Sequence, residues 1–71
     1  MTNAARRKRN AQRQADGMHE RVGLTGWVIV HPGGTWYGPY ASAGQAWERI
    51  GLRDSLDMKI EGTVVHAGPQ D

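Results

Sequence analysis

The stretch GWVIVHPGGTWYGPYASAGQAWERIG, from Gly26 to Gly51, decides the fold of this chain. It holds all three tryptophans and both tyrosines of the 71 residues, so nearly every side chain that buries a large apolar area lies within it. Two runs rich in β-branched and aromatic residues flank the turn sequence HPGG, which predicts a β-hairpin. Ser42, with Gln45 three residues later, then begins a short helix as a capping box, and Gly51 ends it.

Outward from this stretch, the residues toward the C-terminus predict a further strand. Leu56, Met58 and Ile60 alternate with charged residues, which is the period of a half-buried strand. The strand is expected to continue through residues 63–66, with Gly62 as a kink or bulge. The fold class is therefore α+β: a small ββαβ domain, in which a three-stranded sheet carries one helix on one face.

The apolar residues of the hairpin predict a sheet with two apolar faces. If Val30 pairs with Thr35, then Val28, Val30 and Tyr37 share one face. The other face takes the helix, and Trp47 is expected to lie between the helix and the sheet. Because one helix covers one face, the second face should be hidden by the N-terminal arm, a second copy of the chain, another partner or a neighbouring loop.

Charge divides the chain into two parts. Through Arg21 there are six basic residues against Asp16 and Glu20, a net charge of +4, whereas residues 22–71 carry a net charge of −2. We therefore expect a basic N-terminal arm over residues 1–21, a folded core over residues 22–68 and a C-terminal tail over residues 69–71. A basic arm on a mildly acidic body is the asymmetry expected when the arm meets a polyanion.

The arm has the composition of a weak helix. Its alanine, arginine and glutamine residues favour helix, and Gly17 is a natural end point, but four consecutive positive charges and a thin apolar stripe oppose stable docking. We expect a disordered or partly helical segment that orders on a negatively charged partner, and a core that survives its removal. The residues expected to contact nucleic acid are Arg6, Arg7, Lys8, Arg9 and Arg13.

Two resemblances concern bacteriophage proteins. The segment NAARRKR, residues 3–9, resembles the arginine-rich RNA-binding peptides of lambdoid-phage antitermination proteins, which fold as a helix in the major groove of an RNA hairpin. It departs from them at residues 10–12, where Asn-Ala-Gln replaces the second arginine pair. The hairpin and helix resemble the small ββα modules of short actinobacterial phage proteins. Together these resemblances imply a phage-type accessory protein with an RNA-binding arm.

The sequence contains no recognisable set of catalytic residues. Without cysteine there are no disulfides or thiolate metal sites, the three histidines lack metal-ligand spacing, and no histidine–carboxylate pair is placed to activate Ser42. We therefore expect no enzyme, metal, cofactor or small-molecule substrate. No apolar run has the length of a membrane span or of a signal-peptide core, so we expect a cytoplasmic protein without a membrane partner.

Two functions remain open. In the first, the arm contacts RNA or DNA phosphates while Tyr37 or Tyr40 stacks on bases. In the second, the chain is a protein-interaction module whose uncovered sheet face, with Val28 and Val30, or an edge strand binds a host protein or a second copy of the chain. The charge separation favours the first function, and the two apolar sheet faces favour the second.

Overall fold

The computed structural model describes residues 3–69 and shows a small α+β fold. In chain order its elements are α1 (Asn3–Val22), β1 (Gly26–Val30), β2 (Trp36–Tyr40), α2 (Ala43–Arg49) and β3 (Thr63–Ala67). The three strands form one antiparallel sheet in the order β2-β1-β3. The α+β class is confirmed, but α1 is an integral part of the fold and not an arm attached to a closed ββαβ core.

The central strand β1 is buried on both faces. Val28 and Val30 belong to the cluster beneath α1, whereas Ile29 belongs to the cluster beneath α2. Successive side chains of a strand point to opposite faces, so an unbroken apolar run is the pattern of a strand with a cover on each side. Of the possible covers for the second face, the structure supplies the N-terminal segment.

The stripe Ala11, Ala15 and Met18 docks α1 on the sheet. All three side chains are buried, and they pack in one cluster with Val28 and Val65. The predicted disordered or partly helical arm is instead a helix of 20 residues. A thin alanine stripe is sufficient here because alanine side chains let the helix backbone approach a flat, valine-rich sheet closely.

Two glutamine side chains tie α1 to the body. Gln12 Nε2 donates to the His66 carbonyl of β3 at 2.7 Å, and Gln14 Nε2 donates to the Gly34 carbonyl in the hairpin loop at 2.9 Å. These bonds fix the position of the helix along the sheet, which apolar contact alone leaves free to slide.

The helix passes through Gly17 and ends five residues later at Val22. An internal glycine costs a helix about 1 kcal/mol relative to alanine, and docking on the sheet offsets this cost. Gly23 takes a φ of 72° and its N–H donates to the His19 carbonyl at 2.8 Å, which closes the last turn.

The hairpin pairs one residue later than the sequence suggests. Val30 lies opposite Trp36 and Ile29 lies opposite Tyr37, so residues 31–35 form the loop. Within it the His31 N–H donates to the Thr35 carbonyl at 2.7 Å. A shift of one residue exchanges the faces of a strand. Tyr37 therefore shares the α2 face with Ile29.

The short helix α2 begins as predicted. Ser42 Oγ accepts the Gln45 N–H at 3.2 Å, and Gln45 Oε1 accepts the Ala41 N–H at 3.2 Å. After the helix, Gly51 adopts a φ of 90°, a conformation that favours glycine. The predicted capping box at the N-terminus is confirmed, whereas Ile50 is the C-cap residue and the Gly51 N–H donates to the Ile60 carbonyl at 2.9 Å.

The predicted orientation of α2 is wrong for its largest side chain. Ala46 is buried against Ile29 and Ile60, whereas Trp47 is 62% exposed. Adjacent positions on a helix are only about 100° apart, so a small rotation decides which of the two faces the sheet. Burial of Ala46 brings the helix backbone close to the sheet and leaves the indole at the edge.

No strand forms through Leu56 and Met58. Both side chains are exposed, at 79% and 61%, because residues 54–58 form a turn around the carboxylate of Asp54. Ile60 is buried, and β3 begins at Thr63. The alternating residues that predicted a strand therefore belong to a loop, in which Leu56 and Met58 are exposed and Ile60 is buried.

Candidate nucleic-acid interface

The N-terminal half of α1 carries a group of exposed positive charges that form no ion pair within residues 3–69, although Asp16 lines one surface recess with Lys8, Arg9 and Arg13. Within residues 3–69 a single ion pair forms, between Arg53 and Asp57, with Nε and Oδ1 3.9 Å apart. It lies outside α1, and the first acidic residue of the helix is Asp16. The cations left without an acidic partner in this part of the chain are Arg6, Arg7, Lys8, Arg9 and Arg13, all exposed.

The location of these charges works against the stability of the helix. The N-terminus of a helix carries a partial positive charge that acts within the first turn, where Arg6 lies and where a cation typically costs about 0.3–1 kcal/mol. Arg6, Arg9 and Arg13 also repel one another, because like charges three or four residues apart are neighbours on a helix. The first turn of α1 has no acidic residue to compensate. Folding therefore does not explain the cluster, whereas the summed field of cations and helix dipole attracts an anion such as phosphate.

The five cations divide into an outward row and an inward pair. Arg6, Arg9 and Arg13 recur at intervals of three and four residues, and Arg9 and Arg13 stand about half a turn from the buried alanine stripe. This row points away from the sheet. Arg7 and Lys8 are four and three residues before the first buried alanine of the stripe, so they flank the docked face.

The inward pair meets an exposed aromatic side chain across the open edge of β3. An open groove of about 350 Å³ runs between α1 and α2 at this edge. We call it the Trp47 groove, and its lining residues are Ala4, Arg7, Lys8, Trp47, Gly62, Thr63 and Val64. Residues from three distant parts of the sequence thus form one concave surface that is both basic and aromatic.

Gly62 lines the groove at the point where the chain passes close to β1. Its φ is 149°, and a β-carbon at this position would lie 2.6 Å from the Val30 carbonyl oxygen. Only glycine fits where the chain crosses so close to β1.

Arg7 also borders a second, smaller cleft. Asn10, Gln14 and His31 line this cleft together with Arg7, beside the hairpin loop. His31 Nδ1 accepts the Gly33 N–H at 3.0 Å, which holds the imidazole in the turn. Arg7 therefore lines two recesses, of which the one between α1 and α2 also contains Trp47.

The tyrosines predicted to stack on bases are not near these cations. Tyr37 and Tyr40 are half-buried in the cluster beneath α2, on the sheet face opposite α1. The Tyr37 hydroxyl donates to Asp54 Oδ2 at 3.2 Å. The pKa of Tyr37 is raised, mainly because the side chain is partly buried and secondly because of this hydrogen bond. The aromatic side chain that the fold brings to the cations is Trp47, for which the sequence carries no distinguishing signal.

The predicted uncovered apolar face is absent from the structure. Val28 and Val30 lie beneath α1 and are buried, so the expectation that they contact a partner is wrong. Of the exposed large apolar side chains within residues 3–69, three lie in the α2–β3 connection. We call residues 52–58 the apolar loop, because Leu52, Leu56 and Met58 project from it into solvent.

Comparison with protein-family models, with curated proteins and with solved structures finds no match to this chain. Within residues 3–69, no three side chains of histidine, aspartate or glutamate are grouped to hold a metal ion. No helix in this range is both long and apolar enough to cross a membrane. The candidate interface is therefore defined by its charge and geometry.

Proposed function

We propose that this protein is a small, non-enzymatic regulatory or accessory protein of the cytoplasm that binds nucleic acid through the basic half of α1. The observation that carries the proposal is the set of five exposed cations, without ion-pair partners in residues 3–69, along the first three turns of a helix. Phosphates are the ligands that such a surface attracts most strongly.

The docking of α1 supports this function energetically. A free basic segment loses conformational entropy when it orders on a partner. Here the buried alanine stripe and the bonds of Gln12 and Gln14 already hold the helix in place. The outward row of arginines is thereby presented on a rigid rod, which reduces the cost of binding.

The shape of the helix is compatible with a groove or a phosphate backbone. Residues 3–10 are all exposed, so two turns of α1 are accessible to a ligand. The resemblance of residues 3–9 to arginine-rich RNA-binding peptides supports structured RNA as one target, and the charge cluster serves DNA phosphates equally well.

Fluorescence anisotropy with a labelled RNA hairpin, a DNA duplex and a single strand, each at several salt concentrations, tests the proposal. Five cations that neutralise about four phosphates give a slope of log affinity against log salt near −3 to −4, since each duplex phosphate contributes about 0.9. No binding to any of these nucleic acids at about 50 mM salt would rule the function out.

A matched pair of charge variants assigns the binding to α1. The double variant Arg6→Gln/Arg9→Gln should flatten the slope by about 2 and weaken binding strongly at low salt. The control Arg49→Gln/Lys59→Gln removes the same charge from exposed positions outside α1 and should leave the slope nearly unchanged. Equal effects of the two variants would mean that net charge alone governs binding.

A protein-interaction function is the second candidate, and the apolar loop is the observation that favours it. Leu56 and Met58 are among the most exposed large apolar side chains of residues 3–69. Exposed apolar patches mark protein-binding surfaces more often than chance placement does. This loop, in place of the covered sheet face, is the surface to mutate if the chain binds no nucleic acid.

A further inference from the structure

We infer that the Trp47 groove is a stacking site for one unpaired base, so that the protein binds nucleic acid preferentially where a strand is single or a base is bulged out. This inference rests on the proposed function and specifies the ligand of the inward pair, Arg7 and Lys8. The outward arginine row contacts phosphates of any strand, whereas the groove adds a requirement for an unpaired base.

The exposure of Trp47 is the first argument. Indole is the largest apolar side chain, and Trp47 leaves 62% of its surface in solvent although buried positions lie one residue away. Ala46 makes the contact between α2 and the sheet in its place. The indole therefore contributes little to the core, and a flat aromatic face is open to a second ring.

The charges around the indole are the second argument. Arg7 and Lys8 line the same groove and have no carboxylate partner within residues 3–69. An aromatic platform beside cations is the arrangement by which proteins hold single strands, with bases on the ring and phosphates on the basic side chains. An apolar segment of a protein would leave both cations unpaired in the groove.

The shape of the groove is the third argument. Gly62, Thr63 and Val64 line it on the side of β3, and its volume of about 350 Å³ is open to solvent. A flat base enters such a space edgewise and lies against the indole. A base inside a duplex has both faces covered by its neighbours, so stacking on Trp47 requires a base outside the helix stack.

The variant Trp47→Ala tests the inference. Its affinity is measured by anisotropy for a single-stranded ten-nucleotide RNA or DNA and for a blunt duplex at the same salt concentration. We expect affinity for the single strand to fall roughly 5- to 150-fold, the range for losing one base–aromatic stack. Affinity for the duplex should change less than about twofold, because the outward arginines remain. Trp47→Phe keeps an aromatic ring and should restore most of the single-strand affinity.

Two controls separate a local effect from a structural one. Trp36→Ala removes another partly exposed tryptophan, which lies on the opposite edge strand β2, and should leave single-strand affinity unchanged. The salt slope of Trp47→Ala should equal that of the unmodified chain, because stacking releases no counterions. Quenching of tryptophan fluorescence by the single strand should be present in the unmodified chain and largely lost in Trp47→Phe.

The outcomes distinguish this inference from the proposed function. If the unmodified chain binds both ligands but Trp47→Ala affects neither, or both equally, the stacking site is refuted while the phosphate contact stands. If the unmodified chain binds no nucleic acid, the proposed function fails and the stacking site fails with it. If the single strand binds, the affinities for the RNA and the DNA strand show whether the groove prefers ribose or deoxyribose.

Discussion

Asp54 is the residue that organises the apolar loop. Its Oδ1 accepts the N–H groups of Leu56 and Met58 at 2.9 and 3.0 Å, and its Oδ2 accepts the Tyr37 hydroxyl. The hydrogen bond from the Met58 N–H is the main reason that the pKa of Asp54 lies below its ordinary value of 3.8. Desolvation of the carboxylate acts in the opposite direction and raises the pKa, whereas the bonds from the Leu56 N–H and the Tyr37 hydroxyl lower it further. The carboxylate thereby links the loop to β2.

Asp54→Asn should lower the stability of the fold at neutral pH and reduce its dependence on pH in acid. A lowered carboxyl pKa stabilises the fold fully above the ordinary value of 3.8, and this contribution is lost as pH falls through the lowered pKa. Urea unfolding at pH 7 and at pH 3 measures both effects. Glu61→Gln is the control, because this exposed carboxylate lies outside the loop and forms no ion pair within residues 3–69. If Asp54→Asn keeps the acid dependence of the unmodified chain, the carboxylate does not anchor the loop.

At the scale of elements, α1 provides one wall of the core. A helix with four adjacent cations near its N-terminus is marginal in isolation, so its stability depends on contact with the sheet. Removal of α1 would uncover Val28, Val30 and Val65 together. The packing of α1 on these residues gives a physical reason to expect that residues 22–68 are less stable without it.

Ala15→Leu should destabilise the fold by about 1–3 kcal/mol, because Ala15 is fully buried between α1 and the sheet and extra methyl groups overpack the contact. The control Ala5→Leu places the same side chain at an exposed position of the same helix. Both residues are good helix formers, so helix propensity contributes little to the difference. Urea denaturation gives the two values, and equal stabilities would show that α1 does not pack on the sheet through Ala15.

At the scale of the whole molecule, α1 carries most of the positive charge and also closes the core. The segment of net charge +4 is the same segment that closes the core, while the remainder of the chain carries −2. A ligand on the arginine row therefore binds the folded state and not a detached arm. Binding and stability are then linked by mass action.

A nucleic acid at about 100 times its Kd should raise the free energy of unfolding by about 2.7 kcal/mol. The helical circular dichroism at room temperature should change little, because α1 is already a helix of 20 residues before binding. Thermal melts with and without ligand measure the shift, and Arg6→Gln/Arg9→Gln should show a smaller one at the same ligand concentration. A large gain in helical signal without a change in melting temperature would instead indicate an arm that is disordered when free.

Local chemistry is the part of this protein that the sequence determined by itself. Ser42 and Gln45 cap the N-terminus of α2, because these contacts involve neighbours along the chain. The unbroken apolar run of β1 already required a cover on both faces. The charge cluster at residues 6–9 is likewise a property of sequence alone.

The tertiary structure decided which surfaces meet. Whether an alanine stripe docks depends on the flatness of its partner, so only the valine face of the sheet turned residues 3–22 into a packed helix. The hairpin loop is one residue longer than predicted, so Tyr37 lies on the other face of the sheet. A rotation of α2 exposed Trp47 and placed it beside Arg7. These outcomes depend on contacts between residues far apart in the chain, where small differences in packing choose between alternatives that local patterns leave equal.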